Sequence, residues 1–263
     1  MIELVYGIII LTACIVGALS GIGGGVIIKP VLDLFGFHTV EIVGFIASCS
    51  VFAMSISSSV KQIRAKTKIQ PKIVLLIAAG SITGSIIGNT IFDAVFNRFD
   101  ANIVKGIQSA ILASFLIFVI VYINKKNAKS FKLTNPALII VTGLFLGLIS
   151  AFLGIGGGPI NMAFLVLLFS FSVKESTVYS IAIIIFSKLS QLITIFINNQ
   201  FKPYIEYWPI ILVAVVAALA GGIIGAKLNK KLSNKTITRA LSAVLALIIV
   251  INIYNAAAGF IAA

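Results

Sequence analysis

The segment LTACIVGALSGIGGGVIIKPVL at residues 11–32 places Gly23, Gly24 and Gly25 in the middle of an apolar run, and GIGGGP at 154–159 repeats the arrangement with Gly156, Gly157 and Gly158. Three adjacent glycines disfavour a helix and admit backbone angles that other residues resist. A helix can run up to each cluster and a second helix can leave it. A phosphate-binding loop would need a strand before the glycines, a helix after them and, in the Walker form, a Gly-Lys-Ser/Thr ending. The two copies continue instead as Val26-Ile27-Ile28-Lys29-Pro30 and Pro159-Ile160-Asn161, which excludes that use.

The surroundings are those of a membrane protein. The 263 residues are 60% hydrophobic and 10% charged, with a mean hydropathy of +1.16, whereas a soluble domain has about a quarter of its residues charged. Charge-free runs at 4–28, 73–92, 106–124, 133–173, 207–226 and 240–263 each hold at least 19 residues. A bilayer crossing needs about 20 residues rising about 1.5 Å each. Segments 42–60 and 176–201 also qualify, the second interrupted only by Lys188. Runs of this length without two-residue alternation do not suit a membrane barrel. The start, Met1-Ile2-Glu3, lacks the basic region of a cleaved signal, so the first segment is taken as structural. Cys14 and Cys49 lie in apolar runs and His38 is the one histidine, so no metal or other cofactor is expected.

The charge of +13 would suggest nucleic acid in a soluble protein, but here its distribution speaks to orientation. Segments 61–72, 124–134 and 227–239 hold 14 of the 20 basic residues and no acid. The positive-inside rule places all three in the cytoplasm. Eight single crossings would leave the third outside. The conflict disappears if the first region of each half enters, turns at its glycines and returns. Residues 133–173, at about 61 Å as one helix, are long enough for this. The expected fold is an all-α polytopic membrane protein with about eight hydrophobic helical regions in two inverted-topology repeats. The first repeat, 1–124, has a hairpin at 4–35 and helices at 42–60, 73–92 and 104–123. A cytoplasmic basic linker at 125–134 leads to the second repeat, 135–263, with a hairpin at 135–173 and helices at 176–197, 207–226 and 237–256. Both termini are expected outside the cell membrane. Whether each hairpin is re-entrant or crosses twice is left open by the charges.

Three sequence pairs follow one another in the same order: GIGGG at 21 and 154, GSIIG at 84 with GGIIG at 221, and VKGIQSAILA at 104 with ITRALSAVLA at 237. Their separations of 133, 137 and 133 residues argue for duplication. Inverted repeats are a common layout of secondary transporters. Gly84, Gly88, Gly221, Gly222 and Gly225 have the small-residue spacing of close helix contacts.

Helix breaks inside a membrane expose backbone groups at a cost of ~2–7 kcal/mol each unless they meet protein, water or ligand. A helix starting at each break points its N–H groups and positive dipole end into the opening. Pro159 suits a first helical turn. Two such ends meeting near the midplane would hold an anion. Lys188, central in its apolar segment, is the candidate charge. Ser187 and Gln191 lie on the same helix, and Ser55 falls opposite Lys188 at the repeat separation. Asn161 and Ser20 flank the glycine turns, and Lys29, nearer the outer edge, is a candidate entry residue. No acid interrupts a helix centre, which argues against a cation carrier.

The duplicated glycine turns, with Pro30 after the first and Pro159 beside the second, resemble the TauE/SafE sulfite exporter family of membrane permeases. Lys29 before Pro30, and Asn161-Met162-Ala163-Phe164 after the second turn, depart from the family pattern. The resemblance implies a secondary carrier for small anions, sulfur-containing ones such as sulfite, sulfonates or thiosulfate-like species. Coupling to protons or another ion is expected, and nucleic acid is not. An anion channel is the alternative. An integral-membrane enzyme is a weaker one, because His38 and the scattered acids make no catalytic set.

Overall fold

The computed structural model describes residues 2–65, 70–96, 98, 101–125, 130–153, 157–198 and 200–261. These form α1 (Ile2–Ser20), α2 (Gly25–Phe35), α3 (Val40–Arg64), α4 (Pro71–Phe96) and α5 (Ala101–Asn124), then α6 (Pro136–Leu153), α7 (Gly158–Phe169), α8 (Val173–Ile197), α9 (Trp208–Lys231) and α10 (Asn234–Ile261). A short 3-10 helix, Lys202–Tyr207, precedes α9. All but α2 and α7 are long and apolar enough to cross a membrane, which makes eight such helices among the described residues. The protein is a multi-pass, all-helical membrane protein. At 11 and 12 residues, α2 and α7 rise only about half the hydrocarbon thickness. Each follows a glycine cluster, and the order long, short, long, long, long occurs twice.

Several helices outrun the apolar segments that announce them. The last turn of α3 contains Lys61 and Arg64, and that of α9 contains Lys230 and Lys231. Cations favour the negative end of a helix, so part of each basic segment is helix rather than loop.

Close backbone contact joins the halves. Gly80, Gly84 and Gly88 of α4 lie against the carbonyls of Ile140, Leu144 and Leu148, while Gly143 and Gly147 of α6 lie against those of Ile77 and Ser81. In the same way α9 lays Gly221 and Gly225 on the Leu11 and Ile15 carbonyls of α1. Small residues let membrane helices approach this closely and gain dispersion contacts. The pairing is crosswise: α6 packs on α4, α1 on α9, α5 on α10 and α3 on α8. The core forms two apolar clusters, one with Ile10, Ile46 and Met54, the other with Leu116, Leu146 and Ile160. Helix α8 serves both, through Ile184 in the first and Ile183 in the second.

The described parts of all three basic segments gather at one end of the bundle. Lys230 donates to the Ala65 carbonyl at 3.4 Å, and Lys174 donates to the carbonyls of Lys230 and Leu232 at 3.0 and 2.9 Å. The Gln70 N–H donates to the Tyr179 hydroxyl, and Phe131 N–H to the Leu167 carbonyl. Ser172 and Glu175 close a capping box at the start of α8 there. The opposite end is aromatic. Tyr6 hydroxyl and His38 Nδ1 pair at 2.7 Å, His38 meets the edge of Tyr207, and Phe45 stacks on Tyr204 at 4.0 Å.

Candidate functional site

After α1 the chain turns through Gly21 (φ 80°) and Gly23 (φ 74°), left-handed angles that exact little cost from glycine alone. Gly24 then caps α2 with no side-chain hydrogen bond. In the second copy Gly154, Ile155 and Gly156 lie outside the described residues, so the role expected of Gly156 does too. Gly157 (φ 76°) caps α7, again with no side-chain bond, and Pro159 occupies its first turn. The first N–H groups of a helix have no partner within it. Neither α2 nor α7 supplies a capping side chain for them.

The two turns touch. A Cβ on Gly158 would overlap the carbonyl oxygen of Ile22. The Ser180 hydroxyl of α8 donates to the Gly21 carbonyl at 2.7 Å and lies 3.4 Å from that of Gly158. The carbonyls freed where α1 and α6 stop are also met. Asn229 Nδ2 of α9 donates to Leu19 O at 2.8 Å, and Gln108 Nε2 of α5 donates to Phe152 O. Leu19 and Phe152 stand 133 residues apart, the separation of the glycine clusters. Each break therefore has an amide from another helix closing its trailing end.

Lys188 is 6% exposed. Its Nζ donates to Gln191 Oε1 at 2.8 Å and to Ser48 Oγ at 3.3 Å. It lines a cavity of about 40 Å³ between α4, α6 and α8, with Ser85, Asn89, Ser150, Ser187 and Gln191. Ser150 links this cavity to the second turn: a Cβ on Gly157 would fall 2.8 Å from Ser150 Oγ and 3.2 Å from Asn161 Oδ1. Among the described residues no acid lines the cavity. A buried cation that meets only neutral dipoles is costly, and an anion beside it relieves that cost. The volume admits a water molecule or so, not a multi-atom anion, until the helices part.

The residues expected from sequence thus divide. Lys188, Ser187 and Gln191 line one cavity, and Gly157, with Asn161 next to it, lies against Ser150 of its wall. Lys29, half-buried on α2, lies within Coulombic range of Lys188. Gly23 faces Ile184 and Val51, and Gly24 packs on Cys14, so the first turn sits in apolar contact. Gly25 opens α2. Ser55 and Ser20 are buried and donate to the Val51 and Val16 carbonyls of their own helices, both at 2.6 Å; Ser187 does the same to Ile184 at 3.1 Å. Ser48, Ser150, Asn229 and Gln108 were not anticipated. Their signal was weak but present, since an amide in a membrane helix needs a partner.

A second cavity, about 810 Å³, opens at the basic end between α3, α8 and α9. Lys61, Arg64, Lys227 and Lys231 line it, with Glu175 as the single acid among the described residues, and Gln62 and Asn229 are buried beside it. The two cavities are thus unlike in size and lie toward opposite ends of α8.

Comparison with curated proteins gives no match. The family model described as Sulfite exporter TauE/SafE matches residues 6–252, nearly the whole chain, including both glycine turns, Lys188 and the amides that close the helix breaks. The chain belongs to the TauE/SafE sulfite exporter family.

Proposed function

We propose that the protein is a secondary permease for small sulfur-containing anions, sulfite or a sulfonate or thiosulfate-like species, working by alternating access. One observation carries this: Lys188 is buried in a cavity that no acid lines among the described residues, and Ser150 of the same wall lies against the uncapped helix start at Gly157. The lysine supplies charge, Gln191, Ser187 and Asn161 supply directional hydrogen bonds, and the α7 start supplies N–H groups and dipole. Such a site favours an anion with several oxygens.

The two halves, 1–124 and 135–263, act as inverted repeats, with the basic end in the cytoplasm and both termini outside. The crosswise packing of α1 on α9 and α6 on α4, and the amides at Leu19 and Phe152, support this. Under that reading the 810 Å³ cavity is the open side and the 40 Å³ cavity is the closed one. Exchange of roles between the halves would open the Lys188 side and close the other. Movement is driven by the anion gradient or by a coupled ion such as the proton.

Proteoliposomes test the proposal. Radiolabelled sulfite uptake is expected to saturate and to be accelerated by unlabelled sulfite inside. Uptake that rises linearly without counterflow would assign a channel instead. Absence of uptake for sulfite, thiosulfate, sulfoacetate and taurine alike would overturn the substrate class.

A further inference from the structure

The cavity at the basic end carries a polar group that the Lys188 site does not explain. Gln62 is 5% exposed, and its Nε2 lies 3.1 Å from Ser58 Oγ, while its Oε1 is buried with no hydrogen-bond partner. Buried amide oxygens are rarely left so. Turning the amide by half a rotation exchanges the two atoms. The Ser58 hydroxyl then donates to Oε1, and the NH₂ is released as a donor. Gln62 lines the cavity, so the unpaired donor sits in its wall, where an entering ligand that shifts the covering groups would meet it. Lys61 and Lys227 stand around the same space, where Glu175 is the single acid among the described residues. An amide donor under a ring of cations is suited to an oxyanion.

We propose that this cavity is a second oxyanion station, at the basic end, in which the Gln62 amide binds the anion at the buried wall and Lys61 and Lys227 hold it by charge. This rests on the permease reading and deepens it: the anion is met first, or released last, at a place separate from Lys188. The helices concerned are repeat partners. Lys188 and Gln191 lie on α8, and Ser58 and Gln62 lie on α3, which occupies the corresponding place in the first half.

Sided transport separates this station from the Lys188 site. In phosphatidylcholine proteoliposomes of fixed orientation, Gln62→Glu keeps the side-chain shape but replaces the donor with a carboxylate. It is expected to raise the KM for sulfite entering from the basic face about tenfold or more, and to leave KM from the opposite face unchanged. An unchanged KM from both faces overturns the station. An equal rise from both faces also overturns it, by placing Gln62 in a shared site. A rise in basic-face KM of wild type on adding phosphatidylglycerol overturns it in favour of a lipid phosphate. Should wild type show no counterflow, the permease reading fails on its own, and equilibrium dialysis decides the station: sulfite bound by wild type and lost in Gln62→Glu supports it, and equal binding overturns it. Gln62→Met, which keeps the length and removes the amide, is read the same way if the charged variant does not fold.

Discussion

The carbonyl oxygen of Ile22 occupies the space that a Cβ on Gly158 would need, so the two glycine turns are in backbone contact. Gly158→Ala cannot be accommodated by a side-chain movement, because the obstacle is main chain. It is expected to cost ~1–3 kcal/mol, the range for overpacking a core. Gly44 supplies the control, since it lies within α3 with nothing near its Cβ position. Gly44→Ala is expected to hold or raise stability, by ~0.5–1 kcal/mol of helix preference. Melting of the purified variants in detergent measures both.

Asn229→Leu removes the donor to the Leu19 carbonyl, and Gln108→Leu removes the donor to that of Phe152. Each loss leaves the carbonyl at the end of a helix without its donor, so each is expected to cost ~1–3 kcal/mol. Both variants are expected to melt several degrees below wild type. An unchanged melting temperature would mean that the carbonyls find other partners.

The ends of the bundle predict sidedness. Thr39→Cys lies at the aromatic end and Lys235→Cys at the basic end, and both positions are exposed. A membrane-impermeant thiol reagent applied to intact cells is expected to label Thr39→Cys and not Lys235→Cys, measured against the background of Cys14 and Cys49. Breaking the cells is expected to expose the second. Labelling of both in intact cells would contradict the placement of the basic end in the cytoplasm.

The membrane class was legible in the charge-free runs because lipid demands about 20 apolar residues per crossing. The helix breaks were legible at 21–25 because adjacent glycines leave few alternatives, and the Gly84 and Gly221 runs showed where helices meet. What the sequence did not show was pairing across the fold. Ser48 and Ser150 were two serines among many; the packing of α3 against α8 brings Ser48 to Lys188, and the return of the chain from α6 into α7 brings Gly157 to Ser150. Asn229 looked like part of a basic loop, because the helix that carries it extends to Lys231. The local bonds of the hydroxyls were not legible either. Ser55 and Ser20 already donate to carbonyls one turn back, a local bond open to any serine in a helix.

The central claim is that Lys188 holds the transported anion, and Lys188→Met tests it most directly. The substitution keeps the side-chain length and removes the charge, and Ser48 Oγ still lies 3.2 Å from Gln191 Oε1 to bond it. The measurement is counterflow of radiolabelled sulfite in proteoliposomes, alongside the melting temperature of the same preparation. The expected result is a folded protein whose counterflow falls at least about a hundredfold, the scale of removing a charged hydrogen-bond donor from a buried anion. A folded Lys188→Met variant with wild-type counterflow would contradict the account.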